Sequence, residues 1–243
     1  MPQQPSPQTA ASSIPTARTA AFFDLDKTIL AKSSTVAFGK QFVGRGLLRR
    51  RALLKSGYDE LTCLLLGRDR LHRMGVHMTN MCTGWDVAHV RSIVEEMMDE
   101  IALPLVFAGA ADLIADHKRR GHDVVIVSAS AEDIVEPIAS TLGATHAMAT
   151  RLAVEEGKYT GDVAFHCYGE RKVHAIRELA AREGYPLESC YAYSDSISDL
   201  PMLEAVGYPS VVNPGRGLRR EATQRGWPAL TFSRPRNGAP ARG

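Results

Sequence analysis

The four cysteines of this chain (Cys63, Cys82, Cys167, Cys190) form no C-x-x-C pair, which removes metal knuckles and dithiol redox motifs and leaves free thiols in a reducing cytoplasm as the expectation. No apolar run approaches the roughly 20 residues that span a bilayer. Met1–Thr19 is rich in Pro, Gln, Ser, Thr and Ala but lacks an apolar h-region, so it does not read as a secretory signal. Neither charge dominates: 29 Lys and Arg against 27 Asp and Glu leave a formal net charge of +2. Aromatic residues make up only 7% and do not interleave with the basic clusters Arg49-Arg50-Arg51, Lys118-Arg119-Arg120 and Arg216…Arg219-Arg220. Those clusters read as solvated helix faces, and nucleic acid is not an expected partner. His146, His166 and His174 have no Cys or carboxylate partners at ligand spacing, which argues against zinc. No internal repeat is evident, and nothing in the sequence signals an oligomeric state.

What is present is an ordinary globular composition, 44% apolar and 23% charged over 243 residues, enough for one large domain or for a domain carrying an insertion. Residues 1–19 and 233–243 have the composition of disordered tails. An apolar strand at Ala21-Phe22-Phe23 opens the ordered chain. Ser33-Ser34-Thr35 offers N-cap hydroxyls for a helix over Val36–Val43. Helical periodicity follows over Leu47–Leu66, Arg70–Met81 and Val87–Ile101, the last begun by a capping Asp86. Residues 35–105 thus hold helices and no strand. From Ala110 onward helices and strands alternate: helices at Ala110–Arg120, Glu132–Leu142, Glu170–Arg182, Asp199–Val206 and Leu218–Arg225, and strands at His122–Ser128, Cys190–Tyr193, Ser210–Val212 and Ala229–Phe232. Ala147–Val154 and Tyr159–Val163 flank Glu155-Glu156-Gly157-Lys158, a hairpin signal. The pattern predicts an α/β fold, a doubly wound, mostly parallel sheet over residues 20–34 and 106–232, with the helical block 35–105 inserted as a cap.

The strand at Phe23 ends at Asp24-Leu25-Asp26-Lys27-Thr28. Two carboxylates so close repel unless a cation or a shared proton relieves them. Three further polar groups stand at strand ends or helix starts: Ser128-Ala129-Ser130, Lys172 in the first turn of a helix, and Asp195 with Asp199. Strand carboxyl ends of an open parallel sheet face one crevice, so these groups are expected to converge there. Carboxylates for a hard divalent cation, one ammonium and two hydroxyls make an inventory for phosphoryl transfer. One carboxylate can attack phosphorus while a neighbour protonates the leaving alcohol.

Asp24-Leu25-Asp26-Lys27-Thr28, Ser128, Lys172 and Asp195-x-x-x-Asp199, in this order, resemble the four motifs of the haloacid dehalogenase (HAD) superfamily. The inserted block resembles its C1-type cap. Ala149-Thr150-Arg151-Leu152 with Glu156-Gly157-Lys158-Tyr159-Thr160-Gly161 resembles the phosphoserine phosphatase branch, subfamily IB. The resemblance implies a Rossmann-like core and a Mg²⁺-dependent phosphomonoesterase. It implies Asp24 as nucleophile, Asp26 as general acid and base, and Mg²⁺ held by Asp24, the Asp26 carbonyl and Asp195. Phosphate is then gripped by Thr28, Ser128, Ala129 and Lys172, with Asp199 in support.

The likeness stops at the substrate. Where that branch has a glutamate for the substrate ammonium, this chain has Ser33, and a neutral hydroxyl does not pair with an ammonium as a carboxylate does. Ser128-Ala129-Ser130 stands for Ser-Gly-Gly, and Ser194-Asp195-Ser196 for Gly-Asp-Gly. The expected substrate is a small phosphorylated metabolite, with phosphoserine to be tested rather than assumed. The alternatives are a lipid phosphate such as phosphatidylglycerophosphate, or a binding module without turnover. The leucines of Leu47–Leu66, interspersed with Arg49–Arg51 and Lys55, also fit a helix lying on an anionic membrane. Packing within a helical cap explains them more simply.

Overall fold

The computed structural model describes residues 18–47 and 82–233. The helices expected at Leu47–Leu66 and Arg70–Met81 lie, Leu47 aside, outside the described residues, as do the tails apart from Arg18, Thr19 and Ser233. In chain order the principal elements are β1 (Ala20–Phe23), α1 (Ser34–Gly44), α2 (Val87–Glu96), α3 (Ala108–Arg119), β2 (Asp123–Ala131), α4 (Glu132–Thr141) and β3 (His146–Glu155). They continue as β4 (Lys158–Phe165), α5 (Glu170–Glu183), β5 (Tyr191–Ser194), α6 (Leu200–Glu204), β6 (Tyr208–Val212), α7 (Arg216–Arg225) and β7 (Ala229–Leu230).

The strands form one sheet in the order β4-β3-β2-β1-β5-β6-β7. Every neighbouring pair is parallel except β3 with β4, the hairpin expected from the sequence. Its two turn residues, Glu156 and Gly157, have φ of 48° and 76°, the left-handed pair that a tight primed turn demands. Sheet order reverses direction at β1, whose neighbours β2 and β5 lie far apart in sequence, so a crevice opens beyond its carboxyl end.

Both faces of the sheet are covered, which explains the unbroken apolar runs of β1 and β2. Alternation sends Ala21, Phe23, Val124 and Ile126 into one hydrophobic layer with Phe38 and Phe42 of α1, Val90 and Ile93 of α2, Ile114 of α3 and Ile138 of α4. Ala20, Phe22, Val125 and Val127 face the other layer, with Ile176 of α5, Met202 of α6 and Leu218 of α7. The described residues of 34–47 and 82–105 therefore share a core with the sheet. They begin and finish side by side: the Ala31 N–H donates to the Leu105 carbonyl at 2.7 Å, and the Phe107 N–H to the Ile29 carbonyl at 2.9 Å. No helix among the described residues is long and apolar enough to cross a membrane.

Helix starts follow the sequence closely. The Ser33 hydroxyl accepts from the Val36 N–H, and Asp86 accepts from the His89 N–H at 2.8 Å. The helix expected over Val87–Ile101 instead breaks at Met97, and a wider turn at Met98–Ala102 carries both Met98 and Ala102 into the core. Arg18, which composition assigns to the tail, pairs with Asp123 at 2.8 Å and Glu183 at 3.1 Å.

Under the sheet, His117 is buried, with Nε2 2.9 Å from the Tyr193 hydroxyl and Nδ1 2.9 Å from His122 Nδ1. Burial, with the nearby His122 and Arg120, lowers its pKa to about 4. The unfolded chain therefore binds a proton here that the folded chain refuses. Stability contributed by neutral His117 is present above about pH 6.5 and is lost as pH falls toward 4, up to roughly 3 kcal/mol. Urea unfolding at pH 7 and pH 5 should show this loss, and His117→Gln should flatten the pH dependence in that window.

Candidate active site

Asp24 is the first residue past β1, and its N–H is tied to the Tyr193 carbonyl of β5 at 2.9 Å. This continues the sheet ladder by one bond and sets the carboxylate at the crevice. Beyond it the backbone curls: the Ile29 and Leu30 N–H groups both donate to the Leu25 carbonyl at 2.9 Å, and Lys27 takes φ of 64°. A lysine in the left-handed region is uncommon outside constrained sites.

Lys172 enters from the opposite side of the sheet. Gly169 precedes α5 with φ 55° and ψ −128°, a conformation that L residues avoid, and so turns the chain to place Lys172 in the first turn. The side chain is 2% exposed. Its Nζ lies 2.7 Å from Asp24 Oδ1 and 3.0 Å from Asp199 Oδ2. The Ser194 hydroxyl donates to the same Asp199 oxygen at 2.8 Å and accepts from the Ser196 N–H at 3.1 Å. Thr28 is buried and turned inward: its hydroxyl donates to Asp24 Oδ2 at 3.3 Å and accepts from the Asp195 N–H at 3.0 Å. Three of the four sequence motifs, those of Asp24, Lys172 and Asp195, thus supply members of this neighbourhood.

Electrostatics give the members different burdens. Burial lowers the Lys172 pKa, but the charges of Asp199 and Asp24 outweigh it and hold the ammonium well above its ordinary value. Burial, with Asp199 and Asp195, pushes Asp24 up against the pull of Lys172. Asp195 rises to about 6, chiefly through burial, with Lys27 opposing. Three carboxylates face one buried ammonium, and Asp199 Oδ1 is buried without a hydrogen-bond partner. A divalent cation suits this excess of negative charge. Among the described residues no three His, Cys, Asp or Glu side chains form a ready-made metal cage. Mg²⁺ commonly takes one or two carboxylates and completes its shell with waters and substrate oxygens.

The phosphate-side motif lies at the end of β2. Ser128 is buried, and its hydroxyl accepts from the Ser130 N–H at 3.1 Å, leaving its own proton to donate elsewhere. Ala129 is exposed, and its carbonyl is braced by the Thr150 hydroxyl at 2.7 Å. The sequence placed Ser130 in a polar strand end and Ser34 among the capping hydroxyls, but gave neither a role at Asp26. The Ser130 hydroxyl donates to Asp26 Oδ2 at 2.8 Å, and the Ser34 N–H to Asp26 Oδ1 at 2.7 Å. The available signal was the second serine of Ser-Ala-Ser, which strand alternation puts on the same side as Ser128.

Two variants test these pairings by urea unfolding. Lys172→Met leaves Asp24 and Asp199 buried without their cation and should cost about 3–5 kcal/mol. Thr28→Val strands one donor and one acceptor and should cost about 1–3 kcal/mol.

The haloacid dehalogenase-like hydrolase family model matches residues 21–204, from β1 through α6. A Mycobacterium tuberculosis protein named "Probable phosphatase" is 69% identical over 235 residues, covering 96% of this chain and 82% of its own length. A Mycobacterium tuberculosis phosphoserine phosphatase is 35% identical over 224 residues, covering 90% of this chain and 73% of its own. Among solved structures, a protein of unknown function from Bordetella pertussis superposes with a TM-score of 0.79 at 29% identity, covering 88% of this chain and 99% of that one. The chain belongs to the haloacid dehalogenase-like hydrolases and is a phosphatase of the phosphoserine phosphatase-like kind.

Proposed function

We propose that this phosphatase hydrolyses a small phosphate monoester through an aspartyl-phosphate on Asp24. The observation that carries the proposal is the mounting of that carboxylate, fixed at one oxygen by Lys172 at 2.7 Å and at the other by Thr28 at 3.3 Å, at the sheet's crevice. A positioned nucleophile beside a permanent cation is what transfer of an anionic group requires. Asp24 attacks phosphorus as the ester P–O bond breaks, and Asp26 gives its proton to the departing alcohol. Asp26 then takes a proton from water, which attacks the phosphorus and releases phosphate, restoring Asp24. The Ser128 hydroxyl and the Ala129 N–H are assigned to the phosphate oxygens. Lys172 balances charge, and Asp199 keeps Lys172 in place. Asp24, Asp195 and the Asp26 carbonyl are the groups to hold Mg²⁺, which supplies neutralisation of charge on the transferring group.

Residues 35–105 are assigned to a cap that selects the leaving alcohol. A relative at 35% identity is named a phosphoserine phosphatase, yet Ser33 here spends its hydroxyl on the Val36 N–H at the start of α1. We therefore assign the substrate to small phosphorylated metabolites without a required ammonium.

Hydrolysis of p-nitrophenyl phosphate should need Mg²⁺, stop with EDTA and vanish in Asp24→Asn; activity surviving that substitution would remove the nucleophile assignment. Asp26→Asn should lower the rate about 10²–10⁴-fold. Phosphoglycerol formed on adding glycerol would mark a transferase instead. A panel of phosphate esters including phosphoserine and phosphatidylglycerophosphate reads out the substrate, and strong preference for phosphoserine would overturn the Ser33 argument.

A further inference from the structure

Asp26 is the group given the proton-transfer role, and its side chain is partly exposed. Two donors from distant parts of the chain meet it: the Ser34 N–H at 2.7 Å on Oδ1 and the Ser130 hydroxyl at 2.8 Å on Oδ2. Ser130 is buried at the end of β2, and its oxygen is further met by the Ser34 hydroxyl at 3.0 Å and the Thr35 hydroxyl at 3.2 Å. One hydroxyl therefore meets the Asp26 carboxyl oxygen, and two more, from Ser34 and Thr35, meet that hydroxyl. We propose that Ser130 is a positioning residue for proton transfer to the leaving group, acting through Asp26, with Ser34 and Thr35 holding the Ser130 hydroxyl in turn.

The chemistry favours a hydroxyl here. A backbone N–H can only donate, so Ser34 holds its oxygen of Asp26 in one sense alone. A serine hydroxyl both donates and accepts. Ser130 can donate to the Asp26 carboxylate and, after rotation of its O–H bond, accept from the protonated acid. The Ser34 and Thr35 hydroxyls serve as donors to Ser130 in the first state and as acceptors or bystanders in the second. The mount thus persists through both protonation states that a turnover visits. A carboxyl displaced by about 1 Å from its productive position can lose on the order of 10²-fold in rate, so a group that fixes it carries part of the catalytic effect. Alanine or glycine at this position leaves Oδ2 without that partner.

The inference rests on Asp26 being the proton donor, and a leaving-group series separates the two. kcat/KM is measured for phenyl phosphates of graded leaving-group basicity, from p-nitrophenyl to unsubstituted phenyl; it reports events through cleavage of the ester bond. In Ser130→Ala the loss should grow along the series, from about twofold to about tenfold, within the ~10²–10⁴-fold that general acid catalysis supplies. Asp26→Asn should show the same trend more steeply, Ser34→Ala a shallower version of it, and Ser130→Thr should restore the wild-type slope. Melting temperatures of the variants identify any that fail to fold, and the Ser34→Ala and Ser130→Thr pair then carries the comparison. A loss in Ser130→Ala equal for every ester, or none, overturns the positioning role while Asp26→Asn still steepens the slope. A flat response in Asp26→Asn itself overturns the proton-donor assignment, and the Ser130 role with it.

Discussion

Burying an ammonium in a protein is costly, and Lys172 at 2% exposure is tolerable only because Asp24 and Asp199 meet it at 2.7 and 3.0 Å. Each carboxylate needs support in its turn. Thr28 supplies it to Asp24 and Ser194 to Asp199, while the Thr28 oxygen also takes the Asp195 N–H. Removing any one member exposes the next to an unmet charge. The local backbone is shaped to the same end: Gly169 turns α5 toward the crevice, and Lys27 accepts a left-handed φ so that Thr28 can reach back over Asp24. Asp24, Asp195 and Asp199 thus gather around the Lys172 ammonium, with Lys27 acting on Asp195 from the outer side.

A second junction lies away from the crevice. Asp133, buried at the start of α4, takes Arg91 of α2 at 2.6 Å on one oxygen and the Tyr159 hydroxyl of β4 at 2.6 Å on the other. One carboxylate therefore ties α2, α4 and the β3–β4 hairpin. The hairpin reinforces this through the backbone, with the Val87 N–H donating to the Gly157 carbonyl at 3.0 Å and the Tyr159 N–H to the Trp85 carbonyl at 3.1 Å.

Features written in local chemistry were legible in the sequence. The apolar runs of β1 and β2, the caps at Ser33 and Asp86, the Glu156-Gly157 turn and the α/β alternation depend on residues within a few positions of each other. The convergence of Asp24, Thr28, Lys172, Asp195 and Asp199 was legible through topology, because strand ends of a doubly wound sheet must meet. What escaped are contacts whose partners share no local pattern. Asp26 and Ser130 stand 104 residues apart, and Asp133 carries no mark that would pair it with Tyr159. The Thr28 hydroxyl bonds to Asp24 and the Asp195 N–H, a pairing set by side-chain rotation that no spacing encodes. The break at Met97 likewise follows from what must be buried, not from periodicity.

Two backbone bonds, Ala31 to Leu105 and Phe107 to Ile29, hold together chain segments more than seventy residues apart. The closure of everything between these residues is already made by these bonds, whatever its length. For a flexible loop, the entropy of such a closure grows only with the logarithm of the number of residues, so a doubling costs about 0.6 kcal/mol. The entropy of closing the chain between these residues therefore depends only weakly on how many of them there are. A change in the length of that segment therefore carries little closure cost for the sheet.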